Sequence, residues 1–183
     1  MRYNVEKIKE IVRKNPTTEI IYFGGHTPNP KKITKSCFSQ WYDVYFEIDG
    51  IQYHTTEQYM MASKARSFGH KDTLDEIMNA TTPFEYKMLG RKVKGFEPTL
   101  WDEKKLAIVV EGNKAKFGQN PDLKEYLLST GNAILVEASP FDKIWGIGMD
   151  RETALNSRVG DWKGENLLGC ALMEVRDWLR NME

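Results

Sequence analysis

The sequence is poor in cysteine and histidine and contains no long apolar run. It has 2 cysteines, Cys37 and Cys170, and 3 histidines in 183 residues. Two cysteines without metal-ligand spacing predict reduced packing residues, so we assign them neither a disulfide nor a redox role. No apolar stretch approaches membrane-spanning length, and the N-terminus alternates charged residues with isoleucine and valine, unlike a signal peptide. These absences predict a cytoplasmic protein without a membrane partner.

The chain also lacks net charge and linker-like segments. Lysine plus arginine equal aspartate plus glutamate at 26 each, which excludes strong general binding of nucleic acid by an overall positive field. A basic strip at Arg91, Lys92 and Lys94 leaves local contact with a modified nucleotide open, beside the interpretation of a solvated helix end. With 40% hydrophobic residues and no Pro/Gly/Ser-rich run or repeat, the chain predicts a single compact domain.

Local signals predict an α+β fold that is mainly helical with a small sheet. Asn4 can cap an amphipathic helix that ends near Pro16, so residues 1–18 form a helical extension of the main domain, 19–183. Asp49-Gly50 between two β-branched, aromatic-rich runs predicts a tight hairpin. Gly112-Asn113 weakens one of the helices, because glycine inside a helix costs about 1 kcal/mol relative to alanine. The other predicted elements are strands at 19–23 and 133–137 and helices at 82–92, 102–117, 121–131 and 166–180.

The segment from Thr55 places an acid and a base on one helix. Thr55 and Gln58 have capping-box spacing, which puts Glu57 in the first turn, where the helix dipole stabilises a carboxylate by about 0.3–1 kcal/mol. Lys64 follows two turns later on nearly the same face, roughly 10 Å along the axis. A ligand between the two charges is one interpretation. A solvated first-turn glutamate and a snorkelling surface lysine are the other, and local signals leave both open.

The segment 139–150 contains a second pair of candidate residues. Asp142 and Trp145 stand three apart in a loop bounded by Pro140 and Gly146, where side chains point to a cleft as readily as to the core. The structural alternatives are that Asp142 only caps a turn and that Trp145 only fills the core.

Several spaced motifs in this order resemble the NADAR superfamily, the YbiA-like proteins named for a proposed link to NAD and ADP-ribose chemistry. The resemblance runs from about Ile20 to Arg180. The matching blocks are Ile21-Tyr22-Phe23; Phe38-Ser39-Gln40-Trp41-Tyr42; Thr56-Glu57-Gln58-Tyr59-Met60-Met61 with Lys64-Ala65; Leu89-Gly90-Arg91-Lys92-Val93; Lys114-Ala115-Lys116-Phe117 with Gln119-Asn120-Pro121; Leu135-Val136-Glu137-Ala138-Ser139-Pro140-Phe141-Asp142 with Trp145-Gly146-Ile147-Gly148; and Asn166-Leu167-Leu168-Gly169.

The resemblance implies an N-glycoside hydrolase that cleaves a ribose C1′–N bond, with 19–183 as its catalytic domain. Cleavage builds positive charge on the ribose, which a carboxylate stabilises while water attacks and the base takes a proton. This chemistry requires no redox cofactor, and the scattered acids give no metal-site spacing. Two of the residues that the resemblance singles out also have a purely structural interpretation: Trp101 can be a packing residue, and Asn166 can be a helix cap. The implied catalytic residues are Glu57 and Asp142, and the implied substrate-binding residues are Trp41, Lys64, Trp101, Trp145 and Asn166.

Members of the family that this chain resembles differ in their substrates. Some members are described as removing ADP-ribose from modified guanine in nucleic acid, others as cleaving phosphorylated ribosylamine intermediates of riboflavin synthesis. The riboflavin-linked bacterial members have histidine where this chain has Gln58 and asparagine where it has Gln40. We therefore expect removal of ADP-ribose from ADP-ribosylated guanine. The alternatives are the ribosylamine phosphates and a binding module for ADP-ribose or NAD, which needs the aromatic residues but not the acids.

Overall fold

The structure is a computed structural model that describes residues 2–182. It is predominantly helical with two small two-stranded sheets, which confirms the expected α+β class. Two short 3₁₀ helices lie at Lys35–Phe38 and Val159–Asp161. The strands are β1 (Ile20–Phe23), β2 (Phe46–Ile48), β3 (Ile51–Tyr53) and β4 (Ile134–Glu137), and the helices are α1 (Val5–Lys14), α2 (Thr56–Ser67), α3 (Lys71–Asn79), α4 (Pro83–Gly90), α5 (Pro98–Gln119), α6 (Pro121–Ser129), α7 (Arg151–Leu155) and α8 (Leu167–Arg180).

The chain divides into two compact units. Met1–Ser39 and Pro121–Glu183 together make the first unit, and Gln40–Asn120 makes the second unit. The predicted division into residues 1–18 and 19–183 is a different boundary and stays a prediction. No helix among residues 2–182 is long and apolar enough to span a membrane.

The first unit is built on a parallel pair of strands. β1 pairs with β4, with Ile20 opposite Ile134 and Phe23 opposite Glu137. α8 packs on β4, and α6 packs against α8. Leu135 and Val136 of β4 are completely buried, as expected for an apolar run that is covered on both faces.

The predicted N-terminal helix is confirmed as α1. The Asn4 side chain accepts a hydrogen bond from the Lys7 amide at 2.8 Å, which is the N-cap that the sequence predicts. α1 buries Ile8 completely and contacts the 3₁₀ helix Val159–Asp161. Tyr3, just before the cap, donates its hydroxyl to Asp177 of α8 at 2.9 Å. The helix is therefore packed into the first unit.

The second unit centres on α2, which packs against α3, α4 and α5. Close packing of these helices requires glycine at two contacts. A Cβ at Gly112 of α5 would lie 2.7 Å from Cδ1 of Tyr59, and one at Gly90 of α4 would overlap the sulfur of Met61. From the sequence, Gly112 is expected to weaken its helix. The structure explains why glycine is present there: Tyr59 occupies the space that a side chain would need.

The turn and cap signals of the second unit are confirmed. Asp49 and Gly50 have φ angles of 53° and 74°, the left-handed conformations that a tight hairpin turn requires. Thr82 and Glu85 form the predicted reciprocal capping box of α4. The cap at Thr55 is also present, since its side chain accepts from the Gln58 amide at 3.0 Å.

Several predicted boundaries and contacts are wrong in detail. α5 begins at Pro98, ahead of the expected residue 102, because proline suits the first position of a helix. The Gln58 side chain accepts from the His54 amide at 2.8 Å, where the sequence suggested the Thr55 amide. α3 and α7 were not predicted from the sequence. Cys37 and Cys170 are fully buried packing residues, and burial raises the pKa of the Cys170 thiol to about 12.

Gly169 of α8 leaves no room for a side chain, and this generates a test of the first unit. A Cβ there would overlap the backbone carbonyl oxygen of Leu135 in β4. We expect Gly169→Ala to lower the free energy of unfolding by about 2–3 kcal/mol and the Tm by about 4–12 °C, measured by thermal and urea denaturation. Gly160→Ala is the matched control, because nothing lies within 4 Å of a Cβ at Gly160. An equal loss of stability in both variants would contradict the close approach of α8 to β4 at Gly169.

Candidate active site

Glu57 lies in the first turn of α2 with only 5% of its surface exposed. Its backbone amide donates to the carbonyl of Gln40 at 2.9 Å, and the Thr56 hydroxyl donates to the same oxygen at 3.2 Å. This single carbonyl therefore ties the preceding segment to the start of the helix. The burial excludes the interpretation of Glu57 as a solvated surface residue, and the helix dipole favours its negative charge there.

Asn113 supports Gln40 from α5. Its side-chain nitrogen donates to the Gln40 side-chain oxygen at 2.9 Å and to the Val109 carbonyl at 2.9 Å. Asn113 and Gln40 are both buried, so these hydrogen bonds are shielded from water. Sequence reasoning missed Asn113, because its partner lies 73 positions away.

The two positions at which the family resemblance implies a difference from the riboflavin-linked members both make internal contacts. Gln58 is buried, accepts from the His54 amide and donates to the Ile77 carbonyl at 3.4 Å. Gln40 receives the Asn113 hydrogen bond described above. A change at either position therefore alters the packing around the start of α2.

Lys64, two turns after Glu57, is half-buried among aromatic rings. Its ammonium lies 4.1 Å from the ring centroid of Phe96 and 5.8 Å from that of Trp101. Burial lowers the pKa of Lys64, and the nearby positive charge of Arg91 lowers it further. The rings favour the cation through their π faces. Lys64 is thus a partly desolvated cation with a second cation close by, unlike a snorkelling surface lysine.

The tryptophans of the second unit differ in exposure. Trp101, in the first turn of α5, is 9% exposed and forms part of the wall around Lys64. Trp41 is partly exposed, and the Lys87 ammonium lies 5.8 Å from its ring centroid. Trp41 therefore has an accessible ring surface, whereas most of Trp101 is covered.

Asp142 and Trp145 meet in one turn of the first unit. Oδ1 of Asp142 accepts from the amides of Ile144 at 2.9 Å and Trp145 at 2.7 Å. The Asp142 backbone carbonyl accepts from the Gly148 amide at 2.9 Å. Asp142 therefore caps the turn as the structural alternative predicted, while both it and Trp145 keep part of their surface exposed.

A row of backbone hydrogen bonds fastens this turn to the segment before α8. The amides of 163, 165, 166, 167 and 168 donate to carbonyls of 147, 143, 146, 144 and 145, at distances between 2.9 and 3.1 Å. Gly146 has no room for a side chain, since a Cβ would lie 2.9 Å from the Glu137 carbonyl oxygen. The loop that carries Asp142 and Trp145 is consequently held at many points.

Asn166 is fully buried, and its side chain is bonded to β4. Its Oδ1 accepts from the Glu137 amide at 3.0 Å, and its Nδ2 donates to the Leu135 carbonyl at 2.9 Å. Asn166 has φ 54° and its side chain makes no cap hydrogen bond to α8, so the predicted side-chain cap is wrong. Its backbone and side chain instead join α8, β4 and the Asp142 turn. Its role in binding substrate stays a prediction.

The predicted site residues fall into two sets. Lys64 and Trp101 meet in the second unit, where Glu57 shares a helix with Lys64 and Trp41 lies beside Lys87 instead. Asp142, Trp145 and Asn166 are joined in the first unit. Sequence reasoning missed Phe96, which lies among turn residues without a helical or strand pattern. Across residues 2–182, no group of three or more His, Cys, Asp or Glu side chains is arranged to hold a metal ion.

Comparison with known proteins gives the family. A family model described as the NADAR domain matches residues 22–180, which include every predicted site residue. The chain belongs to the NADAR family. α1 lies outside the matched residues.

Relatives of this NADAR protein include named enzymes. The N-glycosidase R617 of Acanthamoeba polyphaga mimivirus is 45% identical over 166 residues, which cover 88% of this chain and 96% of that protein. The chloroplastic riboflavin biosynthesis protein PYRR of Arabidopsis thaliana is 36% identical over 109 residues, 57% of this chain and 16% of that protein. The NMR structure of the E. coli protein YbiA is 28% identical with a TM-score of 0.73, covering 90% of this chain and 87% of that one. This NADAR protein is an enzyme, a hydrolase of the N-glycosidase type.

The environment of Lys64 generates a test by titration. In this NADAR domain, Arg91→Ala should raise the pKa of Lys64 by removing the repulsion of a neighbouring cation, while burial keeps that pKa below its ordinary value. Because the folded pKa is below the unfolded one, stability falls as pH drops through the folded pKa of Lys64. NMR titration of ¹³C-methylated lysines measures the shift. Lys92→Ala is the matched control, and an equal shift in both variants would refute the specific effect of Arg91.

Proposed function

We propose that this protein hydrolyses the bond between ribose C1′ and a guanine nitrogen, releasing ADP-ribose from ADP-ribosylated guanine. The observation that carries the proposal is the buried carboxylate of Glu57 in the first turn of α2, on the same helix as the half-buried cation Lys64. One group suits a positive charge that develops on the sugar, and the other suits a negatively charged phosphate.

The bond that breaks defines what the carboxylate does. The electron pair of the C1′–N bond leaves with the base, and C1′ becomes positively charged until water adds to it. At 4 Å and an effective dielectric constant of about 20, a carboxylate and a unit positive charge attract by about 4 kcal/mol, which corresponds to about 10³-fold in rate. We assign this stabilisation to Glu57, whose burial limits the screening by water.

Asp142 is assigned the second acidic role. Its Oδ1 is engaged by two backbone amides, which fixes the orientation of the carboxylate. The carboxylate is partly exposed, so its other oxygen can accept a hydrogen bond from water or a ribose hydroxyl. We propose that Asp142 activates the attacking water or holds the ribose, while the proton passes to the departing base.

Lys64 and Arg91 supply the proposed phosphate contacts. Arg91 is close enough to lower the pKa of Lys64, so the two cations repel one another when no anion is present. A diphosphate relieves this repulsion better than one phosphate, because it offers a negative group to each cation. This favours ADP-ribose as the released group over a ribosylamine monophosphate. Trp41 and Trp145 are the proposed stacking surfaces for the bases, Trp101 lines the Lys64 surroundings, and Asn166 holds the Asp142 turn against α8.

The second candidate function is cleavage of phosphorylated ribosylamines of riboflavin synthesis. The similarity to PYRR over 57% of this chain favours it. Gln40 and Gln58 weigh against it, since the riboflavin-linked bacterial members carry asparagine and histidine at these positions. A non-catalytic ADP-ribose or NAD reader would require the aromatic residues but not Glu57. Cytoplasmic residence stays a prediction.

Direct comparison of substrates tests the proposal. Purified protein is incubated with a guanine-linked ADP-ribosylated oligonucleotide and, in parallel, with the ribosylamine phosphates, and products are followed by mass spectrometry. We expect release of ADP-ribose from the oligonucleotide. Cleavage of the ribosylamine phosphates alone would transfer the function to metabolite hydrolysis. If neither substrate gives a product and calorimetry shows stoichiometric binding of ADP-ribose, the result would support a non-catalytic binding module.

The role of Glu57 is tested by an isosteric substitution. We expect Glu57→Gln to lower kcat by about 10³-fold, because the amide cannot stabilise the positive charge at C1′, while the Tm changes little. Steady-state kinetics and thermal denaturation measure the two effects. Glu103→Gln, an exposed carboxylate in the same unit, should retain full activity. Unchanged turnover in Glu57→Gln would remove this residue from the mechanism.

A double-mutant cycle tests whether Asp142 acts in the same chemical step as Glu57. Groups that act as a unit in catalysis give losses that do not multiply. We expect Glu57→Gln combined with Asp142→Asn to lower kcat by clearly less than the product of the two single losses. Single-turnover kinetics isolates the chemical step from product release. Losses that multiply would show that the two carboxylates act independently.

A further inference from the structure

Phe141, next to Asp142, projects almost entirely into solvent. It is 98% exposed, the largest value among the exposed large hydrophobic side chains of residues 2–182, where Met182 reaches 65% and Phe84 reaches 61%. Single exposed hydrophobic residues are common on proteins, so exposure by itself predicts nothing. What distinguishes Phe141 is its position directly before Asp142, a proposed site residue.

The turn that follows Phe141 is held by several hydrogen bonds. The residue that follows it, Asp142, binds the amides of Ile144 and Trp145 through its side chain and the amide of Gly148 through its carbonyl. The same turn is fastened to 163–168 by the backbone hydrogen bonds described above. Because the backbone beside the ring is held, only the two side-chain torsions of Phe141 need to be ordered when a flat partner stacks on it. Phe141 is therefore an exposed stacking surface beside the proposed site residues Asp142 and Trp145.

One lysine lies on this turn, and a second lies on the segment that is bonded to it. Lys143 and Lys163 flank Gly148, where a Cβ would lie 2.9 Å from Cγ of Lys143 and 3.2 Å from Cβ of Lys163. Both lysines are exposed, and neither forms a salt bridge within the described chain. Glu165 shares this edge, since its amide donates to the Lys143 carbonyl, so the positive charge is modest. The pair suits one or two phosphates of a short strand, and it does not suit a long duplex.

We infer that Phe141 stacks on an unpaired base of single-stranded nucleic acid next to the modified guanine, with Lys143 and Lys163 at the flanking phosphates. An aromatic ring with both faces in solvent can stack a base only where that base is already unstacked, which favours a single strand over a duplex. The inference rests on the proposed function and adds to it: the preferred substrate is a modified strand, and a free modified nucleotide lacks the Phe141 contact.

Kinetics on two substrates tests the inference. For Phe141→Ala we expect KM to rise about 5- to 150-fold on a single-stranded ADP-ribosylated oligonucleotide, the range for losing one base–aromatic stack. Turnover of ADP-ribosylated guanosine monophosphate should not change. Phe141→Tyr keeps the stacking face and should restore the wild-type KM. Phe84→Ala, which removes an exposed phenylalanine of α4, is the matched control and should behave as wild type on both substrates.

The salt dependence tests the two lysines. We expect log KM for the oligonucleotide to depend less steeply on log salt in the Lys143→Ala/Lys163→Ala variant, by about 0.7 for each phosphate that the lysines no longer neutralise. A slope equal to that of wild type would refute the phosphate contacts. Equal losses on the oligonucleotide and the monophosphate in Phe141→Ala would refute stacking and indicate a disturbed Asp142 turn.

Binding separates this inference from the proposed function. If wild type cleaves neither substrate, the proposed function fails, and fluorescence anisotropy with an unmodified single-stranded oligonucleotide still tests Phe141. Binding that Phe141→Ala weakens and Phe141→Tyr restores would support the stacking surface. Equal affinity of wild type and Phe141→Ala for the strand would overturn it and leave the exposed ring to another kind of partner.

Discussion

The burial of α2 on all sides is the constraint on which the second unit depends. Every residue from Thr56 to Ala62 is buried, so no face of the first two turns is left to water. Charged and polar groups on such a helix need partners inside the protein or a ligand. The Gln40 carbonyl accepts from the Glu57 amide and the Thr56 hydroxyl, and Asn113 holds Gln40. The glycines at 90 and 112 let α4 and α5 approach. The position of Glu57 follows from these contacts.

Asn166 has the corresponding part in the first unit. A left-handed backbone at a residue other than glycine costs free energy, and asparagine is one of the few side chains that tolerate it. The two hydrogen bonds from its side chain to β4 offset that cost, and its backbone amide belongs to the row of hydrogen bonds that holds the Asp142 turn. One buried asparagine thus joins strand, helix and candidate loop, through its side chain to β4 and its backbone amide to the Gly146 carbonyl.

The surroundings of Lys64 are not those of a core optimised for stability. A half-buried ammonium with a second cation nearby is unfavourable in the folded protein, and the rings of Phe96 and Trp101 offset only part of this. A methionine would pack there without desolvating a charge. Cations held in this way are typical of positions selected for binding an anion, where stability and function compete.

The sequence by itself determined the elements whose signals are local. The hairpin at Asp49-Gly50 and the caps at Asn4, Thr55 and Thr82 each depend on residues within a few positions, so backbone preferences and short-range hydrogen bonds decide them. The motif order likewise indicated the family and most candidate residues. Only the tertiary structure decided that Glu57 is buried, that Lys64 lies over Phe96, that Asn113 holds Gln40, and that Asn166 binds β4 instead of capping α8. Those contacts join residues between 29 and 73 positions apart, and packing selects them from many alternatives that local preferences cannot distinguish.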